Sequence, residues 1–111
     1  MSYEQFAVQF ADALTQGDFD GAHRMLATDL RQELTADSLR AEFDSMTGYF
    51  DSAAQVDGHT ETMRDWPGKG ADDLGWVYVS ISGAPCSEAV TVIVSDEDDG
   101  LVISNIEWGR P

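Results

Sequence analysis

The apolar residues of this chain change period once, near Gly48. Before it, Tyr3, Phe6, Ala7, Phe10, Ala13 and Leu14 recur at the spacing of one helical face. After it, Val77, Val79 and Ile81 alternate with Trp76, Tyr78 and Ser80, and Val90, Val92 and Val94 alternate with Ala89, Thr91 and Ile93. A helix buries a stripe, whereas a strand buries every second residue. A single switch between the two patterns separates helices from strands along the chain. It predicts an α+β fold, with N-terminal helices on one face of a curved, mainly antiparallel sheet of about four strands. The 111 residues provide for one core, and the whole chain reads as one domain.

Local signals predict three helices. Ser2, with Gln5 three residues on, is a capping box, and Gly17 offers a left-handed stop. Asp18 caps a second helix with apolar positions Phe19, Ala22, Leu26 and Leu30. Thr35 caps a third, with Leu39, Phe43, Met46 and Phe50 on one face and Gly48 at its end. A first strand is expected over 53–66, bent or bulged at Gly58. In the last strand Val102, Ile106 and Trp108 are set against Leu101, Ile103 and Asn105. Pro67 to Gly70, Gly83 to Pro85 and Asp96 to Gly100 read as connections, the last as a hairpin tip with Gly100 left-handed.

Two strands are apolar on both sides, which a sheet with one wet face would not be. The second apolar face is expected to line a pocket or to meet a second copy in a homodimer. The charge balance is 6 basic against 21 acidic residues, a net −15. Phosphate backbones are repelled by such a surface, so nucleic acid and anionic membrane are disfavoured partners. No apolar run approaches the ~18 residues of a membrane span, and the N-terminus has no signal-peptide pattern, which sets a cytoplasmic expectation. The single cysteine, Cys86, excludes an internal disulfide and a multi-cysteine metal site.

No motif carries chemistry outright, and no metal or cofactor is expected. Asp96-Glu97-Asp98-Asp99-Gly100 departs from a calcium-loop spacing, since Gly falls fifth. His23 and His59 are the only histidines, too few for a zinc site. Nothing near Cys86 lowers its pKa, with Glu88 two residues away. Gly68-Lys69-Gly70 is too short for a phosphate loop.

The run from Phe6 to Ala22, with Gly17-Asp18-Phe19 at its hinge, resembles the nuclear-transport-factor-2-like superfamily. The likeness implies a cone-shaped α+β domain: a long helix, then Gly-Asp with an aromatic, then a short helix whose alanine packs on the first. The stretches Trp76 to Ile81, Glu88 to Val90 and Ile106 to Pro111 are also similar to small bacterial proteins of this fold, some of which are immunity proteins against polymorphic toxins. In such a cone, Tyr49, Trp66, Trp76, Tyr78 and Trp108 are candidates to line a ligand pocket. An isomerase or dehydratase of the superfamily needs a pocket acid or base, for which the candidates are His59, Asp65 and Glu107, with Tyr49 or Tyr78 as donor.

The reading favoured by the charge is a non-enzymatic acidic module that binds a basic protein partner, in its concrete form an immunity-type protein. The alternative is the isomerase or dehydratase. Asp96, Glu97, Asp98 and Asp99, with Asp72 and Asp73, are the candidate partner-binding residues, because exposed carboxylates steer a basic partner.

Overall fold

In the computed structural model residues 1–109 are described; Arg110 and Pro111, the end of the C-terminal motif, lie outside them. The chain runs α1 (Tyr3–Thr15), α2 (Phe19–Arg24), α3 (Thr28–Glu33), α4 (Ala36–Thr47), β1 (Gln55–Met63), β2 (Asp73–Ser82), β3 (Glu88–Glu97) and β4 (Gly100–Trp108). The four strands form an antiparallel meander in the order β1-β2-β3-β4, an open sheet with β1 and β4 at its edges. The α+β class is as the hydrophobic period implied.

Helix boundaries follow the caps. Ser2 and Gln5 form both halves of a capping box on α1, and Gly17 is left-handed at φ 77°. Asp18 accepts the Gly21 N–H at the start of α2. Thr35 and Ser38 make a second capping box on α4, with Ser38 standing where Glu or Gln is usual.

The expected second helix is two. The chain leaves α2 at Met25, and Leu26 forms a parallel bridge with Ile103 of β4. Ile103 donates its N–H to the Met25 carbonyl, and Ala27 donates its N–H to the Ile103 carbonyl, both at 2.8 Å. An unpaired strand edge leaves backbone groups unsatisfied. Interrupting the helix here satisfies part of the β4 edge and buries Leu26. His23 Nε2–H ties the pieces together, 2.7 Å from the Leu34 carbonyl.

One core fills the space between helices and sheet. Ala7, Phe10, Ala11 and Leu14 of α1, Phe19 and Ala22 of α2, and Leu39 and Phe43 of α4 pack on Val77, Val79, Ile81, Val90, Val92, Val94 and Ile103. Phe10 and Leu14 are fully buried, whereas Phe6 is half-buried against the same cluster. Leu30 of α3 packs on it too, so all four helices lie against this one face.

Bulges decide which β residues reach the core. In β1 the register shifts between Val56 and Thr60, around Gly58 at φ 86°. In β4 it shifts so that Ser104 is unpaired between Ile103 and Asn105. Strict alternation therefore fails in β4. Leu101, Ile103, Ile106 and Trp108 all pack on the core cluster, and Val102 faces away. The β3–β4 hairpin also differs from expectation. Glu97 pairs with Gly100 across a two-residue turn, and the left-handed residues are Asp98 (φ 53°) and Asp99 (φ 63°), not the glycine. Two left-handed central residues define a type I′ turn, which matches the twist of the strands. Aspartate is among the few residues that tolerate that conformation.

Candidate functional site

The sequence candidates fall in three places. The first is the end of the sheet where the β1–β2 loop meets the β3–β4 hairpin. Asp96 donates its N–H to the Asp72 carbonyl at 2.9 Å, so the two acidic loops are fastened side by side. Asp73 and Glu97 are engaged in the structure itself. Asp73 accepts the Ser95 hydroxyl at 2.6 Å and the Gly70 N–H at 2.8 Å. Glu97 accepts the Thr28 hydroxyl and the Thr28 N–H at the start of α3. Those bonds favour the anion and hold the Glu97 carboxyl below its ordinary 4.5. Asp72, Asp96, Asp98 and Asp99 are exposed and enter no side-chain bond or ion pair among the described residues. They form the outward-facing part of the acidic tip.

The second place is a groove of about 400 Å³ lined by Glu42, Ser45, Met46, Tyr49, Glu88, Trp108 and Gly109. It brings together two of the five aromatic candidates, Tyr49 and Trp108. The Tyr49 hydroxyl lies 3.2 Å from Cys86 Sγ and donates to Glu88 at 2.6 Å. The thiol and the carboxylate together hold the phenol well above its ordinary 10.0. Tyr49 is thus a fixed hydrogen-bond donor rather than a base. Cys86 and Glu88 sit in the loop before β3 and at its first residue, and only the fold brings them to Tyr49.

The third place is the sheet face turned away from the helices. Trp76 and Tyr78 lie on it, half-buried and outside the core cluster, as do Ile93 and Val102. His59 stacks edge-on to Tyr78 with ring centroids 6.2 Å apart and lies 3.8 Å from Glu61. Trp66 is in the β1–β2 loop, where the Lys69 ammonium sits 5.5 Å from its ring centroid.

The acid–base candidates do not converge. His59 is on β1 and Glu107 on β4, the two edge strands, separated by about 14 Å at ~4.8 Å per strand. Asp65 lies in the loop after β1, and all three are exposed. The space between helices and sheet holds Phe10, Leu14, Phe43 and the valines of β2 and β3. Outside the core, a groove of about 520 Å³ runs between α1 and the β1 bulge, lined by Met1, Glu4, Gln5, Val8, Gln9, Gly58 and Thr60. It contains none of the candidates. Among the described residues no group of three or more His, Cys, Asp or Glu is placed to hold a metal ion, and no helix is long and apolar enough to cross a membrane.

Sequence reasoning passed over Asp57, Glu61 and Met63 of the outward face and Glu42 and Met46 of the groove. A register of strand pairs would have found Glu61, which stands opposite Tyr78, and Met63, which stands opposite Trp76. Asp57 lies in the bulge without a strand partner and is placed on this face by the Ser80 hydroxyl. No family profile, curated protein or solved structure matches this chain.

Proposed function

We propose that the chain is a non-enzymatic acidic module that captures a basic protein partner, and that an immunity-type protein neutralising a basic toxin is its concrete form. The observation that carries this reading is the fastening of the two acidic loops at one end of the sheet, through Asp96 and the Asp72 carbonyl. It gathers Asp72, Asp96, Asp98 and Asp99 into one exposed cluster on a chain of net charge −15. Such a cluster raises the rate of encounter with a cation-rich surface, because like-signed charges focus the field. The separation of His59, Asp65 and Glu107, and the packed space between helices and sheet, give the enzyme alternative no comparable support.

The test uses the hairpin turn. Replacing Asp98 and Asp99 with Asn and Gly removes two charges and supplies residues that a type I′ turn prefers. The variant is expected to be at least as stable as the parent. A partner captured at low salt should bind it more slowly, and association with the parent should fall steeply as salt rises, since the Debye length shrinks to ~8 Å at physiological ionic strength. An association rate indifferent to both the variant and the salt refutes the reading.

A further inference from the structure

The helices leave one face of the sheet uncovered. A row of paired residues crosses it from the end of β1, Met63 opposite Trp76, Trp76 opposite Ile93 and Ile93 opposite Asn105, with Val102 pairing with Ser95 nearby. Met63 is 40% exposed. Beneath and beside them Ser80, Ala89, Thr91 and Ser95 are small and buried, so the large side chains stand over a low floor. Apolar centre and polar rim is the anatomy of a protein interface, and Trp is the residue most often found at its energetic centre.

The charged side chains that the strands contribute to the rim are mostly carboxylates, with Arg64 and Lys69 in the loop beyond Met63. Asp57 accepts the Ser80 hydroxyl at 2.8 Å and Asp73 the Ser95 hydroxyl, which sets both carboxylates on this face. Glu61 stands opposite Tyr78, and Glu107 stands opposite Thr91. His59 is the only basic side chain of the strands, for no Lys or Arg occurs in β1, β2, β3 or β4. A second copy of the chain would bring the same carboxylates against themselves, and like charges across an interface are costly. A surface with an apolar side chain at its centre and Lys or Arg around it meets no such conflict.

We infer that the uncovered sheet face, centred on Trp76, is where the basic partner docks, with the acidic tip steering it in. The inference rests on the binding-module reading and adds its contact surface. The tip adjoins this face through the Ser95–Asp73 bond, so the steering charges and the docking surface are continuous.

The experiment uses the intact chain and two synthetic peptides of equal charge, one alternating Lys with Leu and one alternating Lys with Ser. Amide chemical shifts are followed at low salt. The Lys–Leu peptide should shift residues 61–63, 76–78 and 91–93 and bind tighter than the Lys–Ser peptide. Trp76→Ala and, separately, Met63→Ser should each remove that preference by about tenfold, the loss of one hot-spot side chain being worth a factor of this order. Both side chains lie outside the core, and unchanged circular dichroism verifies that the variants fold. Equal binding of the two peptides, or shifts confined to the tip or helices, overturns the docking surface and leaves the binding-module reading standing. No binding of either peptide overturns both. A sedimentation mass of twice the chain that reverts to one in Trp76→Ala assigns the face to a second copy and overturns the inference.

Discussion

Phe10 and Phe6 lie one turn apart on α1, and replacing each with alanine separates burial from helix propensity. Both changes exchange the same residue types in the same helix, so the local gain for alanine, about 0.5 kcal/mol, is shared. The surroundings differ. Phe10 is fully buried in the cluster between α1 and the β-sheet, whereas Phe6 retains partial exposure beside it. Returning a buried Phe side chain to water costs roughly 1.5–3 kcal/mol. The void left in the buried cluster raises the total for Phe10→Ala to about 3–5 kcal/mol. Phe6→Ala opens towards solvent and leaves little void, so about 1–2 kcal/mol is expected. A domain of this size has roughly 5–15 kcal/mol in hand. Urea unfolding measures both variants, and with a slope of about 1–3 kcal/mol per molar the Phe10 midpoint should fall by one to several molar. Equal losses for the two variants, or a Phe10 loss below about 1 kcal/mol, would refute the assignment of the buried face.

Gly75→Ala should destabilise by about 1–3 kcal/mol, because the added methyl would overlap the Tyr3 ring; adding Tyr3→Ser should recover part of that loss in a double-mutant cycle. Glu97 has its carboxyl held below 4.5 by Thr28, so its contribution to stability is present above the ordinary glutamate value and is lost as pH falls through the depressed one. Urea midpoints from pH 3 to 7 should accordingly show a shallower acid loss in Glu97→Gln, and parallel profiles would count against the cap. Tyr49 should ionise late: the difference in alkaline absorbance between the parent and Tyr49→Phe should show a phenol titrating above 10.0, with the favouring of the protonated form lost only as pH climbs beyond that value.

Features that depend on near neighbours in the chain are legible from the residues alone. Ser2 and Gln5 cap α1, Gly17 ends it, Thr35 opens α4 and Gly58 marks a bulge, because caps and left-handed positions are chosen within a few residues. Alternation along β2 and β3 separates Val77 and Val79 from Trp76 and Tyr78 for the same reason. Features set by a partner distant along the chain emerge only on folding. Leu26 leaves the helix because Ile103 of the β4 edge offers backbone bonds, and nothing in residues 19–33 announces that offer. Ile106 and Trp108 reach the core, and Val102 does not, because Ser104 is extruded from the pairing with β3. Tyr49 becomes a fixed donor only where Cys86 and Glu88 arrive beside it, and the acidic loops become one tip only where Asp96 meets Asp72. Local periodicity shows which residues share a face; which face the helices cover, and which charges end up side by side, follows from packing the whole chain around one core.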